Sequence, residues 1–173
     1  MKRNIDVWQY APVILQELGK GVLVTAGSGK KANPMTIGWG TLGIQWGKPI
    51  FTVFIRESRH TKALLDETPE FTVNIPYGQE VKEILKVCGT KSGRDINKFE
   101  ALGLTPETSE TVSVPGIRQL PLTLECKIIY QQKQDAAAIA PENLQRYYAP
   151  GTANEGDIHT AYYGQITAAY IIE

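Results

Sequence analysis

The chain has 173 residues with 18 Lys and Arg against 18 Asp and Glu, a formal net charge of +0. The whole surface therefore does not act as a magnet for nucleic acid or an anionic membrane. Hydrophobic residues make up 42% and charged residues 21%, which fits one globular domain over 1–173, large enough for a proper core.

Two cysteines far apart, Cys88 and Cys126, make no disulfide framework and suit a reduced, cytoplasmic setting. Met1 to Tyr10 has a basic pair with no apolar run behind it, unlike a signal peptide. No apolar stretch approaches the roughly 20 residues that span a bilayer.

In chain order, Val22 to Thr25 is the first clear strand, framed by Gly19, Gly21 and Gly27. Gly27 to Lys31 is a polar turn, and Thr36 to Ile44 a glycine-interrupted extended segment. Pro49 to Ile55 (PIFTVFI) is rich in aromatic and β-branched residues and predicts a strand. Thr61 to Glu67 predicts a short helix stopped before Pro69, and Phe71 to Ile75 alternates as a strand. Gln79 to Val87, with apolar Val81, Ile84, Leu85 and Cys88, has helical spacing. Asn97 to Leu102 is a helical turn and Val112 to Val114 a short strand before Pro115-Gly116. Leu122 to Gln132 predicts a long strand with Leu122, Leu124, Cys126, Ile128 and Tyr130 on one face. Leu144 to Tyr148 is a short helix and His159 to Ile172 the closing strand. Six or seven strands without regular crossover helices favour antiparallel pairing and a closed or split barrel: mainly β, with short helices.

Several strings invite other readings. Gly38-x-Gly40-x-x-Gly43 matches a dinucleotide fingerprint, but Gly47 and Pro49 follow and the next element is a strand, not a helix. Gly29-Lys30 lacks the rest of a P-loop. Two histidines, His60 and His159, have no metal-ligand spacing with the cysteines, and no GxSxG elbow occurs.

Three segments carry chemistry. Asn33 to Thr41 (NPMTIGWGT) combines small residues, hydroxyls and one Trp, and lets backbone groups approach the polar edge of a flat ligand; a tightly packed barrel strand reads equally well. Arg56-Glu57-Ser58-Arg59-His60-Thr61 gathers forked donors and hydroxyls at a helix start, a setting for phosphate or for a plain N-cap beside solvated arginines. Cys88 to Phe99 is a glycine-containing loop with three basic residues, able to cover an anionic ligand or to serve as a solvated connector.

In this order the segments resemble the flavin reductase-like family of FMN-binding split barrels. NPMTIGW is similar to its flavin-contacting strand and loop, RESRHT to its phosphate turn, and Phe71-Thr72-Val73-Asn74 to its F-x-V-N strand. Ser92-Gly93-Arg94-Asp95…Lys98-Phe99 is similar to its S-G-x-D-K-F loop. Gly156-Asp157-Ile158-His159 resembles its G-D-H ending, with Ile158 intervening.

The resemblance implies FMN at a homodimer interface, with NAD(P)H as a possible co-substrate. Met35, Thr36, Ile37, Gly38, Trp39 and Thr41 would meet the isoalloxazine. Arg56, Ser58, Arg59 and Thr61 would hold the phosphate, and Asn74 would support the loop near the ring. Ser92, Gly93, Asp95 and Lys98 would close over the flavin. No acid–base catalyst and no metal ligand is implied, because the chemistry belongs to the cofactor. The implied activity is an NAD(P)H-dependent flavin or ferric reductase. The competing readings are a flavoredoxin-like electron carrier with a protein redox partner, a barrel without flavin, and a relative of the pyridoxamine-phosphate oxidases; RESRHT and SGRD point away from the last.

Overall fold

In the computed structural model, which describes residues 1–173, the β-branched and aromatic runs become the strands of one antiparallel sheet. The strands are β1 (Lys2–Asn4), β2 (Val22–Ala26), β3 (Asn33–Ile37), β4 (Gly40–Gln45), β5 (Lys48–Arg56), β6 (Glu70–Ile75), β9 (Leu122–Lys133) and β10 (His159–Ile172). A separate ribbon pairs β7 (Pro106–Glu107) with β8 (Gly116–Ile117). The helices are α1 (Val7–Leu18), α2 (His60–Glu67), α3 (Lys82–Thr90), α4 (Lys98–Ala101) and α5 (Pro141–Tyr148). None is long and apolar enough to cross a membrane.

Across the sheet the order is β3-β2-β6-β9-β10-β5-β4, with β1 added to β10. β3 and β4 follow one another in the chain, separated only by Gly38 and Trp39, yet stand at opposite ends of this order. Both ends still pack into one core, through Met35 and Ile37 of β3 and Leu42 of β4. The result is a barrel split along one seam, the expected fold class.

Strand alternation fills that core. Val22, Val24 and Ala26 of β2, Phe71, Val73 and Ile75 of β6, and Leu122, Leu124 and Cys126 of β9 all point inward. Helix α1, which the sequence reading did not anticipate, adds Val7, Ile14 and Leu18. Asp6 caps it, accepting from Trp8 N at 3.0 Å. Pro12 lies inside this helix and is exposed on its surface. The segment 112–114 forms no strand, and the predicted helix of 79–87 runs instead from Lys82 to Thr90.

β10 is bent by two bulges. One skips Ile129 opposite Tyr163 and Gly164; the other skips Thr167 opposite Cys126 and Glu125. The first reverses the face of β9 beyond it, because a one-residue slip flips alternation. Tyr130 is therefore exposed rather than aligned with Leu122 and Leu124. Gly164 lies where the strands close most tightly: a Cβ there would fall 2.4 Å from Phe71 Cζ and 2.8 Å from Cys126 Cβ.

The outer face of β2, β6 and β9 is also buried. Leu23 joins Val81, Cys88, Leu104, Ile117 and Leu120 in a second cluster under α3 and α4. Beside it runs a polar stripe. Thr25 donates to Asn74 Oδ1, Asn74 Nδ2 donates to Thr123 Oγ1, both at 3.2 Å, and Thr72 donates to the Pro115 carbonyl at 2.8 Å. Glu125, fully buried, accepts from Glu110 N (2.7 Å), Thr111 N (2.6 Å) and Thr111 Oγ1 (2.7 Å), mooring the 108–115 segment. Burial pushes its carboxyl up, but these donors outweigh that and hold it below the usual carboxylate range.

Two predictions follow from this packing. Gly164→Ala should lower stability by about 2–3 kcal/mol, as overpacking of a closed core does; urea denaturation showing a loss under about 0.5 kcal/mol would contradict the close approach. The folded pKa of Glu125 lies below its unfolded value near 4.3, so its contribution is full above that pH and is lost as pH falls through the folded pKa. Glu125→Gln should therefore be less stable than wild type at pH 7, with the gap narrowing in acid. Stability curves that stay parallel from pH 7 to pH 3 would rule the mooring out.

Candidate functional site

The ladder between β5 and β10 pairs Arg56 with His159, so the turn after β5 and the start of β10 meet. Residues 35–39 cross the seam beside them. Met35, Thr36, Ile37, Gly38 and Trp39, with Phe54, Arg56, Arg59, Asn154 and His159, line a cavity of about 200 Å³. Met35 and Ile37 send their side chains into the barrel core, and the Thr36 hydroxyl donates to the Leu85 carbonyl at 2.6 Å. What the segment offers a ligand is therefore chiefly backbone. The Pro34 carbonyl is turned outward to Lys98, and in an antiparallel strand alternate residues share an edge, so the N–H and C=O of Thr36 face the same way.

A second cavity, about 130 Å³, shares Met35 and Arg59 with the first. Ser58, His60 and Thr61 form one wall; Lys91, Ser92, Gly93, Arg94 and Lys98 form another, with Asn33 at its base. Gly93 is required by contact: a Cβ there would lie 2.1 Å from Asn33 Oδ1 and 3.0 Å from His60 Cδ2. Lys98 is buried, its ammonium donating to the Pro34 carbonyl (2.9 Å) and the Cys88 carbonyl (3.1 Å). The Arg94 guanidinium donates only to the Ser58 carbonyl, at 3.3 Å. The side chains of Arg59 and Lys91 make no hydrogen bond, and none of these four cations has a carboxylate within 4.0 Å. Burial, with Arg94 and Lys98 nearby, holds the His60 imidazole below its ordinary pKa. Uncompensated cations converging on a small polar cavity are the electrostatics of an anion site.

The remaining candidates have other engagements. Asp157 accepts from Ser58 N at 3.0 Å and Ser58 Oγ at 2.5 Å, and pairs with Arg56 at 3.6 Å; Arg56 also donates to the Ala153 carbonyl at 3.0 Å. Ser58 and Arg56 thus clasp the 149–157 segment against the 56–61 turn. Thr61 Oγ1 accepts from Asn33 Nδ2 at 3.1 Å and contacts Met35 Sδ at 3.4 Å. Thr41 is exposed on β4 opposite Thr52 and lines neither cavity. Asn74 is fully buried in the polar stripe, away from both. Asp95 lines a third cavity next to the second.

Aromatic groups cover the ring-sized cavity. Trp39 stacks edge-on with Tyr147 (centroids 5.1 Å) and tilts over His159 (4.9 Å). Tyr148 Oη lies 2.6 Å from His159 Nδ1 and 3.5 Å from Gln134 Oε1. In the shorter contact the donor and acceptor follow the imidazole tautomer. Burial, then Arg56, pushes the His159 pKa down to about 4, so the ring is neutral near pH 7. Phe54 and Asn154 were not among the sequence candidates, and His159 stood only in the Gly156–His159 resemblance; strand register brings in Phe54 and His159, and the loop held by Arg56 and Ser58 brings in Asn154.

The family model of the flavin reductase like domain matches residues 18–173. The chain belongs to this family. Among curated proteins, one from Archaeoglobus fulgidus is 36% identical over 100 residues, covering 58% of this chain and 55% of that protein. The chain thus spans little more than half the length of that relative. Among solved structures, flavoredoxin of Desulfovibrio vulgaris (Miyazaki F) matches with a TM-score of 0.67 at 25% identity, over 88% of this chain and 69% of the other. An FMN-binding domain of a flavin reductases-like enzyme from Shewanella baltica OS155 matches with a TM-score of 0.66 at 17% identity, over 99% and 77%. The flavin reductase-like split barrel is therefore the fold.

The Asp157 clasp makes a measurable prediction. Asp157→Ala removes two hydrogen bonds and an ion pair, and hydrogen bonds to a charged group contribute roughly 1.5–3 kcal/mol each. Amides of 149–158 should exchange at least about tenfold faster in the variant, with the core strands unchanged. Equal protection in both proteins would mean the segment is held by something else.

Proposed function

We propose that this flavin reductase-like chain is a flavoprotein that binds FMN and transfers hydride or electrons through it, acting as an NAD(P)H-dependent flavin or ferric reductase. The observation that carries the reading is the run of Arg59, Lys91, Arg94 and Lys98, uncompensated cations around a cavity that shares Met35 and Arg59 with the one lined by residues 35–39. That arrangement fits a phosphate joined to a planar ring. Arg59 and the 91–94 loop would hold the phosphate, and the edge of residues 35–39 would meet the ring's polar side. When bound, the flavin supplies the two-electron chemistry. The chain's own part is to bind and orient it, to keep a neutral His159 beside the ring cavity, and to cover it with Trp39 and Tyr147.

The second reading is an electron carrier that holds FMN tightly and exchanges electrons with a protein partner, favoured by the likeness to flavoredoxin. One experiment separates the two. The purified chain is incubated with FMN, desalted, and its visible spectrum followed during anaerobic addition of NADH or NADPH. Retained flavin bands that bleach on addition support the reductase; retained bands that do not bleach move the assignment to the carrier; no retained flavin and no steady-state FMN reduction remove both. Arg59→Ala should weaken FMN affinity at least about tenfold, the loss of one charge-assisted contact. Affinity unchanged in that variant would take Arg59 out of the phosphate site.

We also infer a homodimer, supported by an exposed apolar patch at the β4–β5 turn in which Ile44 is 71% and Trp46 62% exposed, with Tyr130 alongside Trp46. Light scattering should give twice the chain mass, falling to the monomer in Trp46→Glu. A wild-type monomer at micromolar concentration would exclude it.

A further inference from the structure

His60 is the one imidazole of the 130 Å³ cavity, and nothing in the flavin reading uses it. It opens α2, directly after Arg59. Its ring lies against the opposite wall, since a Cβ on Gly93 would fall 3.0 Å from His60 Cδ2. Most polar neighbours are already engaged. Asn33 is bonded to Thr61, Ser58 to Asp157, and Lys98 to two carbonyls. The other histidine, His159, has Tyr148 Oη at 2.6 Å from Nδ1. The ring nitrogens of His60 make no hydrogen bond within the chain, and neither is sealed from solvent.

The charged groups that face this ring are cations from each element around it. Arg59 precedes it on the turn, Lys91 and Arg94 stand on the 91–94 loop, and Lys98 comes from α4. β3 supplies only the neutral Asn33 and Met35. The carboxylates of the adjoining segments are committed elsewhere: Asp157 to Ser58 and Arg56, Glu57 to Thr160, while Asp95 lines the neighbouring cavity. Burial first, then Arg94 and Lys98, disfavour a proton on the ring, so it is neutral near pH 7. A phosphate dianion among the same groups reverses the sign of the field. It attracts a proton to the imidazole and offers that proton a charged acceptor. Histidine is the side chain for which such a reversal crosses neutral pH.

We propose that His60 is a proton-linked ligand of this cavity: as the flavin phosphate arrives, the imidazole takes a proton from solvent and binds the phosphate as imidazolium. This rests on the flavin reading above and adds to it one more cation, which exists only in the complex. Arg59 and Arg94 stay charged at any working pH. Lys98 is the other group able to answer to pH, because burial lowers its pKa, and a variant at His60 separates the two.

The test is calorimetric titration of the whole chain with FMN at pH 7 in buffers of different ionisation enthalpy, which counts the protons exchanged. A phosphate with its second pKa near 6 can by itself only release protons to a cationic site, about 0.1 per FMN at this pH. Wild type should instead show net uptake, and its FMN affinity should fall at least about threefold from pH 6.5 to pH 8.5. His60→Gln, a polar replacement at a half-buried position, should turn uptake into release and hold the affinity within about twofold over the same range. Without any variant, the NMR titration of the His60 ring should move to higher pH in the FMN complex. Net release in wild type, or a ring titration that FMN leaves unchanged, overturns the proposal. So does uptake that persists in His60→Gln, which would assign the proton to Lys98, or uptake that riboflavin, the same ring without a phosphate, reproduces. All of these leave the flavin reading intact, whereas failure to bind FMN at any pH overturns both.

Discussion

β3 has a strand neighbour on one side only. Its other edge looks onto the seam of the barrel, where backbone groups must find partners that are not strands. Pro34 removes one donor from that edge by having no N–H, and its carbonyl is taken by the Lys98 ammonium. Thr36 reaches across to the Leu85 carbonyl and fixes α3 alongside. The rest of the site follows from this arrangement: α3, the 91–95 loop and α4 are gathered to one unclosed edge, and the outward backbone groups of Thr36 stay available because no strand covers them. A ladder between β3 and β4 would complete the barrel and abolish the slot.

Lys98 costs the fold something. Burial disfavours its charge and lowers its pKa, with only two carbonyls and no carboxylate to answer it. No carboxylate cancels its charge, and it lines the neighbouring cavity, where an anion would be its natural counterion. Asp157 offers the contrast. It lies nearby, but its charge is spent on Ser58 and Arg56, so it closes the turn from outside and leaves Arg59, Lys91 and Arg94 unneutralised. Anion attraction is thus divided between residues that hold the scaffold and residues left free.

Much of the sheet was legible because its strands carry their own signal. β5, β6 and β9 are β-branched runs bounded by turn residues, and β10 begins and ends where the sequence predicts. Helix α1 went unassigned; its span contains Pro12, a residue that disfavours helix interiors but sits here on an exposed face. Tyr130 was misplaced because a bulge at Ile129 leaves no mark in the sequence. The site divides in the same way. Segments 35–39, 56–61 and 91–94 are contiguous and could be seen, whereas His159 and Phe54 enter through strand register and Asn154 through the loop that Arg56 and Ser58 hold. Asn74 shows the reverse: a polar residue in an apolar strand looks functional, yet it is answered by Thr25 and Thr123 inside the fold. No single sequence encodes which side of a sheet will be covered twice.

The place of β10 also bears on how the chain reaches this structure. The β4–β5 hairpin has no sheet partner except β10; Thr160 and Glu57, bonded across that junction, are 103 residues apart in sequence. The hairpin is local, but its other edge has no partner until residues 159–165 have been made. Such long-range closure predicts slow folding with an unpaired, aromatic-rich edge exposed meanwhile. The same Ile44 and Trp46 that suit a self-association surface are, on a nascent chain, a hazard that a chaperone would have reason to cover.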